Sequence, residues 1–546
     1  MEKITISNFR KVKETWEFNL APITFFTGTN NSGKSSVMKA LMILDDFGSS
    51  KNHFILNFNG KHSRNHKIDC FSNAINRNNL KDKLYDIHFA IENKDYFIDY
   101  HFYPLEIKDD RFEKGKVKAI KFTSKYDNSL FSVTHLADDE YQLTMDNSFI
   151  QYTNNHPDNS EEVENKNELD SYKIAIVNDL KENESVLKKL DITSLERIPF
   201  LDKIQSLKLK LKEVNKKLKD FENNIEKDKL QFNPTFSLKG FEDTQSLDRI
   251  IRLVLNTYFR NNAKKIGFGT SSIDLYRISL ISDIIVDTLN LNISHLTPNR
   301  NTQTRLYVND GGNNDIYDII KSLSENPIRK KSKADDFIKR WMSKECNGKM
   351  YFDIGEDYNI KPIEGLASKI EIKENGDWIN LVDKGFGAGQ IFTVLLRIAS
   401  VINEVNHNRD QIKGQRSARG SRSAIPVILI EEPEANLHPA FQSLLADLFL
   451  ETWKEFGIQF IVETHSEYII RKSQLLFVDY ANPKDSLFPP MRLKHNPFTV
   501  YYFDEIGPYE MKYLENGKFD RNFGEGFYDE AAKKTLELIQ KQRNKN

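Results

Sequence analysis

Apolar positions along the chain fall into three rhythms. Short runs of β-branched and aromatic residues predict buried strands at Ile23-Thr24-Phe25-Phe26-Thr27, Val427-Ile428-Leu429-Ile430 and Phe460-Ile461-Val462, the second having the form of a buried parallel strand. Alternating runs predict half-buried strands: Lys3 to Arg10 with Trp16-Glu17-Phe18 able to pair with it, then Asp86 to Ile91 and Tyr96 to Phe102 as a hairpin across Glu92-Asn93-Lys94-Asp95. Val117 to Phe122 and Gln142 to Met145 extend this β-rich character over the first 150 or so residues. Helical spacing occurs at Ser36 to Leu44, Leu247 to Tyr258, Ile316 to Met342 and Ile391 to Ile402, and Ser279 to Leu291 starts a return to globular patterning. The expected fold class is therefore α/β, with a β-rich N-terminal lobe.

The pattern changes at about Asn154. Asn, Asp, Glu and Lys crowd Asn154 to Asp170, which predicts a solvated loop. Beyond it, Phe200, Ile204, Leu207, Leu211, Val214, Leu218, Phe221 and Ile225 recur at alternating steps of four and three, the seam of a short coiled coil. Lys208, Lys210, Lys212, Lys216, Lys217 and Lys219 share that helix. Two readings stay open: a helix packed on a neighbour with a solvated basic face, or an arm that meets DNA or a partner. The predicted organisation is a split head, residues 1–153 and 277–546, interrupted by a helical insertion at 154–276.

Composition narrows the classes. At 546 residues the chain suits roughly two to four domains. Its 39% hydrophobic content is that of a globular protein, while 29% charged residues and a mean hydropathy of -0.57 reflect the polar insertion. Lys and Arg number 78 against 79 Asp and Glu, so any nucleic-acid contact must be a local patch. The best placed is the loop at 406–423, where Arg409, Lys413, Arg416, Arg419 and Arg422 lie among Gly and Ser; Arg329-Lys330-Lys331-Ser332-Lys333 reads instead as a solvated helix start. Cys70 and Cys346 stand far apart, without partners at metal-ligand spacing, which suits a reduced interior. Met1-Glu2-Lys3-Ile4 has no signal-type apolar region and no apolar stretch reaches the roughly 18 residues of a membrane helix. A cytoplasmic protein with no membrane partner is expected.

Chemistry concentrates in four places. Gly28-Thr29-Asn30-Asn31-Ser32-Gly33-Lys34-Ser35 matches G-x-x-x-x-G-K-[ST] between a predicted strand and a predicted helix. That geometry aims backbone N–H groups of Asn30 to Ser36 at a phosphate, with Lys34 as a point charge and the Ser35 hydroxyl as a Mg²⁺ ligand. Glu431 and Glu432 end the Val427 strand; Glu431 is expected to hold the Mg²⁺ shell and Glu432 to polarise the attacking water. His465, after the Phe460 strand, could bond the γ-phosphate or the lytic water. Asp383-Lys384-Gly385-Phe386-Gly387-Ala388-Gly389-Gln390 leads into a helix and forms a second anion-binding turn.

In this order the motifs resemble those of the ABC-type ATPases of the SMC, RecF and OLD branch: Ile6-Ser7-Asn8-Phe9-Arg10, the Asn30-Asn31 form of the P-loop, the glycine-rich signature turn, Glu431-Glu432-Pro433, and Thr464-His465-Ser466. The resemblance implies ATP and Mg²⁺ as cofactors and an ATP-sandwiched homodimer, in which Gly387, Gly389 and Gln390 of one copy contact the γ-phosphate held by Lys34 of the other. It covers residues 1 to 60 and 380 to 470 closely and His295 to Tyr307 and Val500 to Glu530 loosely. Departures are Gly387 and Ala388 in place of the signature serine and first glycine, His438 at the D-loop aspartate, and Glu431 where aspartate is common. The chain shows neither an acidic Toprim centre nor a His-Asn-His metal finger. The head with its helical insertion also resembles the PtuA ATPase family of Septu anti-phage systems, some retron-associated. That likeness implies control of a separate PtuB-like HNH nuclease, with a retron reverse transcriptase and its msDNA, or DNA, as further partners. The alternative is an SMC/RecF-like DNA repair ATPase that binds duplex directly; a transporter-type ATPase is disfavoured by the large insertion.

Overall fold

The computed structural model describes residues 1–105, 107–108, 111–125, 128–146, 173, 176–181, 183–185, 201, 203–216, 231–239, 246–266, 281–282, 285–298, 304–308, 315–346, 348–363, 367–414, 425–481, 496–524, 527 and 530–543. Two compact units are present. The first combines Met1–Lys94, Ile98–Lys118 and Val286–Asn546; the second combines Asp95–Phe97 and Ala119–Ile285.

The first unit is built on a six-stranded sheet in the order Ile293–Leu296, Val427–Glu431, Gln459–Glu463, Ile23–Gly28, Phe498–Phe503 and Pro508–Met511. The first five are parallel and the last is antiparallel. Their near-continuous apolar runs follow from burial on both faces, which parallel sheets require. Neighbours in this sheet are distant in the chain. The P-loop strand Ile23–Gly28 lies between strands that begin at Gln459 and Phe498, so residues hundreds of positions apart share one sheet edge.

Helix Lys34–Gly48 leaves the P-loop and is buried along nearly its whole length. Its far end is tied to the sheet, since Asp45 accepts a hydrogen bond from the Ile293 N–H at 3.3 Å. Helix Phe386–Gly414 packs against Asp315–Glu325 and Lys333–Met342 in the main core. It corrects one expectation: among the described residues, Phe386–His407 is long and apolar enough to cross a membrane, with a mean hydropathy of 1.4, yet 72% of that stretch is buried inside the protein. A helix apolar all round is what the centre of a large core demands.

An antiparallel sheet carries the N-terminal lobe, with Ile6 opposite Trp16 on one side and Phe89 on the other. In the second unit, Leu130–Ala137 and Glu140–Asp146 form a hairpin on which Thr235–Ser237 and Gln231–Phe232 pair. Helix Leu247–Ile266 follows, longer than its apolar pattern predicts. Of the coiled-coil seam, Ile204, Leu207, Leu211 and Val214 pack with Ile176 and Leu180 in a small cluster, and the nearby Lys208 pairs with Glu184 at 3.5 Å. That segment is a helix packed on a neighbour, and Lys210, Lys212 and Lys216 are exposed. Phe200, Leu218, Phe221, Ile225, Lys217 and Lys219 lie outside the described residues, as do Arg416, Arg419 and Arg422.

Candidate active site

The P-loop conformation follows from its glycines. Gly28 has φ 129° and packs so tightly against the neighbouring strand Phe498–Phe503 that a Cβ there would stand 2.1 Å from the Phe503 carbonyl oxygen. Gly33, at φ 113°, forms the entry to helix Lys34–Gly48, and its Cα faces the Trp16 ring. Asn31 adopts φ 60°, a left-handed conformation that asparagine tolerates. Thr29 N–H donates to the Phe503 carbonyl at 3.0 Å, and Ser32 Oγ to Thr29 O at 2.7 Å, closing the loop. Lys34 is 3% exposed and donates from Nζ to the carbonyls of Gly28 at 3.2 Å and Thr29 at 2.7 Å.

Three strand ends meet this loop, and Lys34, Ser35, Glu432 and His465 come together there. Ser35 Oγ donates to Glu463, at 3.0 Å from Oε2 and 3.3 Å from Oε1. Glu463 ends the strand directly beside the P-loop strand, paired with Phe26, and is 7% exposed. Burial, then the neighbouring Glu431, push its carboxyl up to about 7, with Lys34 and Ser35 opposing. Lys34 is held below the usual lysine value by burial, opposed by Glu463 and then Glu432. Glu432 sits at φ 45° just past its strand, its N–H donating to Glu463 O at 2.7 Å. His465 is lowered by desolvation, then by Lys34, with Glu432 opposing, so its imidazole is neutral at pH 7.

Glu431 has a different partner. His295, 4% exposed, donates from Nε2 to Glu431 Oε1 at 2.9 Å. The turn after the His295 strand is pinned by Asp315, which accepts from the Thr297 N–H at 2.7 Å and its hydroxyl at 2.9 Å. A fourth glutamate, Glu434, clamps the switch segment by accepting from Thr464 Oγ1 at 2.8 Å and from His465 N–H at 2.6 Å.

A pocket of about 240 Å³ opens on this constellation, lined by P-loop residues Asn31 to Ser36, by Glu463, and by Arg10, Lys11 and Lys39. Lys39 is lowered by burial and then by Arg10, with Glu431 opposing; Arg10 is lowered by burial and then by Arg77. Four cations beside a loop of backbone N–H groups form a polyanion site. Ser35, Glu463 and Glu431 bring only hard oxygen donors, the set a Mg²⁺ ion prefers, so these residues fit that ion.

The signature turn does not line this pocket. Gly385 has φ 87°, and Phe386 is 40% exposed. Gly387 packs on the acidic turn, where an added Cβ would lie 3.0 Å from Asn436 O; Gly389 is buried and Gln390 is 1% exposed. His438 replaces the expected aspartate as a helix cap: its Nδ1 accepts from Ala440 N–H at 3.3 Å at the start of Pro439–Phe456.

Sequence reasoning missed Glu463, Glu434, Lys11 and Lys39 as site residues, and quoted His295 and Arg10 only as parts of motifs. The one available signal for Glu463 was an acid closing an apolar strand directly before Thr464-His465-Ser466.

A family model described as an AAA ATPase domain (AAA_15) matches residues 1–470. An uncharacterized protein of Methanocaldococcus jannaschii is 29% identical over 155 residues, which are 26% of this chain and 43% of that protein. The chain thus matches less than half the length of that relative. Among solved structures, the Smc head domain with an extended coiled coil from Pyrococcus furiosus, bound to the C-terminal domain of ScpA, aligns with a TM-score of 0.31 at 13% identity, covering 99% of each chain. The SMC head domain from Thermotoga maritima aligns with a TM-score of 0.28 at 9% identity, covering 95% of this chain and 96% of that one.

Proposed function

From the premise that the chain belongs to the AAA ATPase domain family, we propose that it is a Mg²⁺-dependent ATP-hydrolysing head that closes as a dimer around nucleotide and controls a separate nuclease in anti-phage defence. The observation that carries this reading is the polyanion pocket lined by Lys34, Ser35 and Glu463, with Glu432 and His465 close enough to interact electrostatically with Lys34. Lys34 and the loop N–H groups hold the phosphates. Glu432 orients the lytic water, and the neutral His465 donates to or accepts from that water or the γ-phosphate. Ser35 with the strand-end acids Glu463 and Glu431 would hold Mg²⁺, which when bound would supply charge neutralisation at the phosphate oxygens.

Dimer closure is supported by the placement of the signature turn. Of Gly387, Gly389 and Gln390, expected to meet a phosphate held by a second copy, Gly389 and Gln390 are buried and only Gly387 is partly exposed, next to the exposed Gly385 and Phe386; this end of the turn does not line the chain's own pocket and would offer a second copy the N-terminus of a long helix. Control of a separate HNH nuclease is supported by the resemblance of the motifs to those of ATPases that work with such a partner.

The test uses purified full-length protein. ATP turnover, a shift from monomer to dimer on adding ATP to Glu432→Gln, and no DNA cleavage by the isolated chain are expected. Robust cleavage by the isolated chain, or no turnover of ATP, overturns the proposal.

A further inference from the structure

The motif pattern points to Glu431 as the acid of the metal shell, but the geometry points elsewhere: we propose that Glu463 is the carboxylate that takes the divalent cation beside Ser35, and that Glu431 instead works with His295 behind it. This rests on the ATPase reading and reassigns one part of that site.

Three observations carry it. The hydroxyl that receives the metal in a P-loop is that of Ser35, and its hydrogen bonds run to both oxygens of Glu463 at 3.0 and 3.3 Å. Adjacent oxygens around Mg²⁺, with bonds of 2.0–2.1 Å at right angles, stand roughly 2.9 Å apart. The Ser35 and Glu463 oxygens thus already stand near the spacing of two neighbouring ligands, and a cation seated beside the pair would take both with little movement of either side chain, the hydroxyl keeping its proton and turning it away from the carboxylate. Second, Oε1 of Glu431 already accepts from His295, whose side chain is 1% exposed, which leaves Glu431 at most one oxygen to offer, whereas both oxygens of Glu463 face the Ser35 hydroxyl. Third, sheet order separates the two acids. Glu463 lies on the strand next to the P-loop strand, whereas Glu431 lies one strand further out.

The arrangement divides labour between the two glutamates. Glu463 gives the metal a direct or water-bridged oxygen ligand. Glu431, fixed by His295, shapes the negative field behind that ligand, so His295 is a positioning residue.

A fluorescent ATP analogue distinguishes the assignments, titrated into full-length protein in EDTA and then in Mg²⁺, with Mn²⁺ binding to the ATP complex followed by electron paramagnetic resonance. In the wild type, Mg²⁺ tightens nucleotide binding. Glu463→Gln keeps an oxygen that can accept from Ser35 but removes the charge. It is expected to lose at least tenfold of the Mg²⁺-dependent gain and of Mn²⁺ affinity, while binding in EDTA is equal or tighter. Glu463→Asp is expected to recover part of the gain, which a purely structural role would not require. Glu431→Gln and His295→Ala are expected to lower turnover with Mn²⁺ affinity changed less than threefold. A Glu431→Gln variant that loses metal affinity while Glu463→Gln keeps it overturns the assignment and leaves the ATPase reading standing. A wild type that binds the analogue under neither condition overturns both.

Discussion

Val427–Glu431 and Gln459–Glu463 are parallel neighbours that end in the same residue at the same level, with Glu431 paired to Glu463 in the ladder. Their carboxylates nevertheless have different surroundings. Glu463 faces Ser35 and Lys34 of the P-loop, while Glu431 is held from behind by the buried His295. Residue type and strand position are identical, so the difference comes from what lies on either side: the P-loop strand flanks one, the His295 strand flanks the other. An acid at a strand end thus acquires its role from the neighbouring strand.

The comparison can be broken at four points. The largest effect is expected at the acid just beyond it. Glu432→Gln should lower ATP turnover by roughly 10³-fold while retaining bound ATP, because a water-orienting carboxylate acts in the transition state; single-turnover and binding measurements check both halves. Turnover near that of the wild type would place the lytic function on Glu431 or Glu463 instead.

Next comes the pH response of Glu463. Its carboxyl is raised from an ordinary 4.5 to about 7 in the folded chain. The group therefore favours the folded state fully below about pH 4.5, and that contribution is lost as pH rises through about 7. Glu463→Gln stays neutral, so without nucleotide or metal it should be more stable than the wild type at pH 8, by up to about 3 kcal/mol, with the gap closing towards pH 5. Denaturant melts across that range read it. An equal gap at both pH values would remove the contrast between the two glutamates.

Lys34→Ala should weaken ATP binding roughly 10²-fold, since its ammonium is the most buried cation of the pocket and opposes both Glu463 and Glu432. Direct titration measures it. The smallest effect belongs to the far side of the comparison: His295→Ala should cost about tenfold in turnover by releasing Glu431, with the affinity for ATP in EDTA little changed. A larger loss of nucleotide affinity than for Lys34→Ala would mean that His295 supports the whole pocket.

Much of this was legible in local patterns. The P-loop strand and helix, the Val427 and Gln459 strands, the Ile293 strand and the paired helices at 315–342 all follow from apolar period and length, because buried parallel strands and core helices write their environment into consecutive residues. Other features depend on distant contacts. The strand Phe498–Phe503 is not among those the apolar pattern predicts, and nothing local says that Phe503 lies against Gly28 and excludes any larger residue there. The D-loop position showed only a missing aspartate, whereas the structure gives His438 a capping bond.

By itself, then, the sequence determined the chemistry on offer: a glycine loop that binds phosphate, a lysine, a hydroxyl, acids at strand ends and a histidine after the last of them, each specified by residues within a few positions. Tertiary structure decided the assignments among them. Strand order is set by long-range packing of buried faces, and a carboxylate's partner, burial and protonation depend on which strand lies beside it. Glu431 and Glu463 look interchangeable along the chain; the intervening geometry makes one face the P-loop and the other a buried histidine.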